Sequence, residues 1–142
     1  MTKPNIYLDI DGVILANEAN LSIGAEEFIK YAVENFDVYW LTTHCTEGDS
    51  AHAIRYIMET SAEHMRPYFE KFIPTTWQTN KTEAIDFTKP FLWYDDDCFT
   101  GEQMDLKQNN AVNSWIEVDL LKHPDQLVHE LKLLESIIEE NS

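Results

Sequence analysis

The stretch IYLDIDGV, residues 6–13, begins as a short apolar run and ends in two aspartates separated by one residue, with a glycine behind them. Successive side chains of a strand point to opposite faces, so we expect Asp9 and Asp11 on the same side at a strand's carboxyl end. Two carboxylates held close together beside apolar residues repel each other and need a neutralising partner. A divalent cation meets that need, and an all-oxygen site suits a hard ion such as Mg²⁺.

Apolar runs that predict strands alternate along the chain with apolar residues at helical spacing, which predict helices. The five predicted strands are residues 6–8, 38–41, 72–74, 91–94 and 115–118. This alternation is typical of an α/β fold, here a three-layer sandwich with a mainly parallel five-stranded sheet. With 142 residues the chain is expected to form a single domain, residues 1–142.

Polar residues follow three of the predicted strands, where ligands bind in parallel sheets. Because the carboxyl ends of parallel strands lie at one edge of a sheet, we expect these side chains to form one site. The residues are Asp9 and Asp11, Thr42 and Thr43, and Asp95, Asp96 and Asp97.

Acidic residues dominate the charge of the chain, which has 26 Asp and Glu against 10 Lys and Arg and a net charge of −16. Such a surface repels polyphosphate backbones and disfavours binding to bulk nucleic acid, but a small phosphorylated substrate at a cation is compatible with it. Cys45 and Cys98 lack a C-x-x-C pattern, which argues against a disulfide framework or a zinc knuckle. No apolar run has the length of a membrane span or a signal-peptide core, so a cytoplasmic protein without membrane association is expected.

The order of these motifs resembles that of the haloacid dehalogenase-like (HAD) hydrolase superfamily. The first motif of that family, D-x-D-G-[VT], resembles residues 9–13, and its second, an apolar strand ending in Thr or Ser, resembles residues 38–42. The third motif, a lysine at a helix start, matches Lys81, and the fourth, an apolar strand ending in paired acids, matches residues 91–96.

The resemblance implies a phosphoric monoester hydrolase that forms an aspartyl-phosphate. It assigns Asp9 as the nucleophile and Asp11 as the acid that protonates the leaving oxygen and then activates water. Thr42 and Lys81 would bind the phosphoryl oxygens. An aspartate at the position of Asp11 favours phosphate chemistry over dehalogenation, because the dehalogenase branch generally lacks it.

The same resemblance implies a Mg²⁺ site. Asp9 and Asp95 would bind the cation with their carboxylates, and Asp11 would bind it through its backbone carbonyl. Asp96 would either be a direct ligand or lie one step further from the ion.

Two of these assignments have rivals along the chain. Thr43 competes with Thr42 for the phosphate contact, and we favour Thr42 because it directly follows the apolar run. Lys71 and Lys89 compete with Lys81, which we favour because Asn80 and Glu83 resemble a capping pair that opens a short helix there. His44 either lines the pocket or is a polar loop histidine, and Trp77, in a loop near the predicted strand ends, either contacts the substrate or, as we favour, only packs.

No cap domain fits this chain, because Val13 to Leu21 offers only a short loop and residues 43–81 are needed by the core itself. The resemblance is therefore to capless members, whose open sites admit phosphate groups on small molecules or on macromolecules, in some cases under a lid from an oligomer neighbour. Alternatives are a phospho-binding or protein-interaction module without turnover and a phosphatase of nucleic-acid ends. A receiver-like domain is disfavoured, because there the paired acids and the phosphorylated aspartate lie on different strands.

Overall fold

The computed structural model describes residues 3–141 and shows an α/β fold of alternating strands and helices. The strands are β1 (Asn5–Leu8), β2 (Leu15–Asn17), β3 (Asn20–Leu21), β4 (Val38–Trp40), β5 (Phe91–Asp95) and β6 (Trp115–Glu117). The helices are α1 (Ala25–Asn35), α2 (Ala51–Met58), α3 (Arg66–Phe69), α4 (Thr100–Gln108) and α5 (Gln126–Glu140), with short 3₁₀ segments at Glu63–Met65, Lys81–Ala84 and Val112–Ser114.

The main sheet has the strand order β4-β1-β5-β6, and all of its pairings are parallel. In the register of β1 and β5, Leu8 lies opposite Tyr94. The backbone N–H of Asp9 donates a hydrogen bond to the Tyr94 carbonyl at 3.2 Å. Asp9 and Asp95 therefore follow paired positions of the two central strands, which places their carboxylates side by side.

The predicted strand at residues 72–74 is not a regular strand, and the main sheet has four strands rather than five. Ile73 alone forms a bridge beside β4, where its N–H donates to the Val38 carbonyl at 2.8 Å and its carbonyl accepts from Trp40 N–H at 3.0 Å. The next bond of the ladder would join Thr75 N–H to the Trp40 carbonyl, but that carbonyl accepts the Thr75 hydroxyl instead, at 2.6 Å, so the pairing ends at Ile73.

Two further segments differ from the predictions. The residues expected to form a short loop before α1 contain the antiparallel pair β2–β3, whose turn is held by Asn17: its Oδ1 accepts the N–H of Ala19 at 2.9 Å. Helix α4 was not predicted, because its apolar residues do not recur at helical spacing and only Glu102 and Leu106 are buried.

Apolar side chains cover both faces of the sheet. On one face Trp40 contacts the rings of Phe69 and Phe72 and belongs to a cluster that includes residues of α1 and α5. On the other face Trp93 belongs to a cluster with Leu106 of α4 and Ile85. Both tryptophans are fully buried, as expected for residues inside the strands. Among residues 3–141, no helix combines the length and the apolar character needed to cross a membrane.

The core contact between α1 and β5 gives a first test. Phe28 is fully buried and meets the Tyr94 ring edge-on, with the ring centroids 5.3 Å apart. Replacing Phe28 with Ala leaves a cavity, so we expect the free energy of unfolding in urea to fall by about 3–5 kcal/mol. The matched control is Phe99→Ala, since that side chain is 60% exposed and its removal should change stability by less than about 0.5 kcal/mol. Similar losses in both variants would contradict this packing.

Candidate functional site

A buried lysine bridges two buried aspartates at the carboxyl ends of the central strands. Asp9 is 7% exposed and Asp95 is 1% exposed. The Nζ atom of Lys81 lies 2.6 Å from Asp95 Oδ2 and 3.3 Å from Asp9 Oδ2. The structure thus brings together three residues that the sequence analysis had placed in one site.

The local fold positions Lys81 through its own backbone. Lys81 begins a 3₁₀ segment that the predicted pair opens: the carboxylate of Glu83 accepts the backbone N–H of Asn80 at 2.8 Å. The backbone N–H of Lys81 donates to Glu102 Oε2 at 2.7 Å, while Glu102 Oε1 accepts the N–H of Phe99 at 2.9 Å. The buried Glu102 carboxylate therefore ties the start of the lysine segment to the first turn of α4.

Sequence reasoning missed Glu102. Its one local signal is its position as the third residue of α4, where a glutamate commonly accepts the N–H of the residue before the helix. The second bond, to the backbone of Lys81, joins residues far apart in the chain, so no spacing pattern could have indicated it.

Burial and charge act in opposite directions within this ion cluster. Burial raises the pKa of the Asp95 carboxyl, the Asp9 charge raises it further, and Lys81 only partly offsets them. For Lys81, burial lowers the pKa, but the charges of Asp9 and then Asp95 outweigh it, so the pKa of the ammonium is raised overall. Lys81 therefore stays charged, and one positive charge faces an excess of carboxylates.

Asp96 adds a third carboxylate. One oxygen each from Asp9, Asp95 and Asp96 lies within 4.8 Å of the others, a donor set that suits hard divalent cations. Asp9 and Asp95 are buried while Asp96 is exposed, so the group is open to solvent on one side. These residues could hold a cation, and the contribution of the Asp11 backbone carbonyl stays a prediction.

The glycine of the opening motif makes room for Asp96. Gly12 has a φ of +82°, in the left-handed region that favours glycine. A Cβ atom at Gly12 would lie 2.5 Å from Asp96 Oδ2. Any side chain there would displace the Asp96 carboxylate.

The Asp11 carboxylate lies outside this three-carboxylate group and is held by two aromatic residues. Asp11 Oδ1 accepts the Tyr56 hydroxyl at 2.7 Å, and Asp11 Oδ2 lies 3.0 Å from His44 Nε2. The rings of His44 and Tyr56 are stacked with centroids 3.8 Å apart. The hydrogen bond to Asp11 is the largest cause that raises the pKa of Tyr56 to about 12. His44 is thus a neighbour of the site, and Tyr56 is a contact that the sequence analysis missed because α2 reaches Asp11 only in the folded chain.

Thr42 is fully buried behind the site. Its Oγ1 accepts the backbone N–H of His44 at 3.3 Å, whereas the rival Thr43 is exposed. Trp77 donates its Nε1–H to the Cys45 carbonyl at 3.2 Å and packs against the apolar cluster on the Trp93 face. These contacts explain the position of Trp77 by packing.

The rival lysines do not join the carboxylate cluster. In the part of the chain that the structure describes, neither Lys71 nor Lys89 forms an ion pair with Asp9 or Asp95. Lys81 is the residue whose ammonium lies between these two carboxylates.

Comparison of the chain with protein-family models, with curated proteins and with solved structures gives no match.

Cation binding at the three aspartates can be tested by stability. Excess Mg²⁺ should raise the free energy of unfolding of the wild type, by about 2.7 kcal/mol once free Mg²⁺ reaches about a hundred times its dissociation constant. In Asp95→Asn this increase should be lost, because a buried anionic ligand is removed. Urea unfolding at constant ionic strength, with and without MgCl₂, measures both.

The matched control is Asp97→Asn, next in the chain to the cluster. It keeps the oxygen that accepts the Cys98 N–H and should keep the full response to Mg²⁺. An equal response in Asp95→Asn and the wild type would rule out this site.

Proposed function

We propose that this protein is a Mg²⁺-dependent phosphomonoester hydrolase of the capless HAD type, which acts through an aspartyl-phosphate on Asp9. The observation that carries the proposal is the Lys81 ammonium, 3.3 Å from Asp9 Oδ2 and 2.6 Å from Asp95 Oδ2, with Asp96 beside them. The motifs that resemble those of the family therefore also lie close together in space. They meet at the carboxyl ends of the strands, where parallel sheets bind their ligands.

In the first step an Asp9 carboxylate oxygen attacks the phosphorus atom and the bond to the leaving oxygen breaks. Asp11 gives its proton to that oxygen, so the alcohol leaves neutral. In the second step water attacks the same phosphorus atom and gives a proton back to Asp11. The bond from phosphorus to Asp9 breaks, and inorganic phosphate and the free carboxylate result.

The charge of the phosphoryl group needs positive partners in both steps. Lys81 supplies one in a buried position, where its charge is weakly screened by water. Mg²⁺, when held by Asp9, Asp95, Asp96 and the backbone carbonyl of Asp11, would supply further positive charge to the phosphoryl oxygens.

Thr42 fits a role as a hydrogen-bond donor. Its Oγ1 accepts the His44 N–H, and no hydrogen bond donated by its hydroxyl occurs among residues 3–141. The side chain is fully buried, so its contact with a phosphoryl oxygen stays a prediction of the family resemblance. His44 and Tyr56 are positioning residues, since their bonds to the two oxygens of Asp11 hold that carboxylate at the edge of the cluster.

Hydrolysis of a generic aryl phosphate such as 4-nitrophenyl phosphate tests the proposal. We expect Mg²⁺-dependent release of phosphate from the wild type and from Asp97→Asn. Asp9→Asn should release none above background, because the amide cannot serve as the nucleophile. Equal release by wild type and Asp9→Asn would overturn the nucleophile assignment. If beryllofluoride binds but no ester is turned over, the protein is a phospho-binding module instead.

The role of Asp11 predicts a dependence on the leaving group. An alkoxide needs a proton to leave and 4-nitrophenolate does not, so Asp11→Asn should lower kcat by about 10²–10⁴-fold for an alkyl phosphate and far less for the aryl ester. Tyr56→Phe should also lower kcat more for the alkyl phosphate than for the aryl ester, but by a smaller factor, since it removes one hydrogen bond that orients Asp11. Steady-state kinetics on both esters give the ratio, and equal losses on both would indicate a purely structural role for Tyr56.

A further inference from the structure

A cavity of about 720 Å³ opens beside the proposed reaction centre, with Asp11, Gly12 and Asp96 in its wall. Its other walls are residues 15–18, from the β2–β3 hairpin, and residues 117–121, the last residue of β6 and the segment after it. A water molecule occupies about 30 Å³ in the liquid, so the space is far larger than one further metal ion would need. An organic group attached to the phosphate fits this volume.

The titratable residues in the wall of this cavity are all acidic. The titratable residues that line the cavity are Asp11, Glu18, Asp96, Glu117 and Asp119, and no Lys, Arg or His is among its lining residues. Asp11 is held by His44 and Tyr56, and Asp96 belongs to the carboxylate group of the site. Glu18 and Glu117 both line the cavity, and their carboxylates have neither a hydrogen bond nor an ion pair within residues 3–141.

Aliphatic side chains make up much of the rest of the wall, together with Gly12 and the polar Asn17. Leu15 and Val118 are buried at its base, Leu120 is partly buried, and Leu121 is 98% exposed at its rim. Exposed leucine gains free energy when a ligand covers it with hydrocarbon. The wall therefore combines an apolar contact surface with unpaired negative charge.

We propose that the leaving group of the substrate is a short aliphatic alcohol that carries an ammonium or alkylated ammonium group, which lies between Glu18 and Glu117. This rests on the proposed function and narrows its substrate class. Phosphate esters with further anionic groups, such as nucleotides, phosphorylated carboxylic acids and oligonucleotide ends, are disfavoured, because they would meet like charges in the cavity.

Two esters of matched shape test the charge alone. Phosphocholine has a trimethylammonium group, and 3,3-dimethylbutyl phosphate has a neutral tert-butyl group in its place. An exposed pair of opposite charges typically corresponds to about two- to fivefold in an equilibrium constant. With two carboxylates involved, kcat/KM should be about four- to 25-fold higher for the cationic ester, and added NaCl should reduce this ratio.

Variants of the two unpaired carboxylates identify the cause. Glu18→Gln and Glu117→Gln should each lower the ratio by about two- to fivefold, and Glu117→Lys should lower it further. Glu135→Gln, at an exposed position of α5, is the matched control and should keep the wild-type ratio.

Failure of the cationic substrate class and failure of the proposed phosphatase function give different results. If the wild type hydrolyses both esters with equal kcat/KM, or if the ratio is unchanged in the double variant of Glu18 and Glu117, the cationic substrate class is wrong and the phosphatase proposal stands. If neither these esters nor the aryl phosphate is hydrolysed with Mg²⁺, the proposed function is wrong and this inference falls with it.

Discussion

The structure depends on the placement of one ammonium group between two carboxylates that the sheet buries side by side. Parallel pairing of β1 with β5 puts Asp9 and Asp95 at neighbouring strand ends, where their repulsion would be costly without compensation. Lys81 supplies that compensation, and Glu102 holds its backbone in place. Asp96 adds a further carboxylate beside this pair, so the group offers an oxygen donor set that could hold a cation.

The aspartates at this site lie in two different environments. Asp9 is buried against Lys81, which would fix the direction of its carboxylate in the proposed attack on phosphorus. Asp11, from the same strand end, is instead partly open to solvent and bound to two side chains from elsewhere. One short motif thus provides two carboxylates in different environments, which is how a protein gives identical side chains different tasks.

Much of the site could be predicted from the sequence because its residues directly follow apolar runs, and parallel strands bring such ends together. Asp9, Asp95 and Asp96 could be predicted in this way. The capping pair of Asn80 and Glu83 favoured Lys81 over the other lysines. The contacts of Asp11 with Tyr56, and those of Glu102, depend on tertiary packing that no local spacing encodes. The predicted fifth strand is reduced to one bridge at Ile73, because the Thr75 hydroxyl takes the Trp40 carbonyl that would continue the pairing. Helix α4 was missed because its apolar residues lack helical spacing.

The register of Leu8 opposite Tyr94 also has a consequence for folding. The two strands are separated by most of the α/β chain, so their pairing is a non-local event that comes with a large loss of chain entropy. The repulsion between Asp9 and Asp95 does not exist in the unfolded chain and arises only when this pairing closes. The charge of the cluster therefore bears on the step in which β1 and β5 pair, and not only on the finished site.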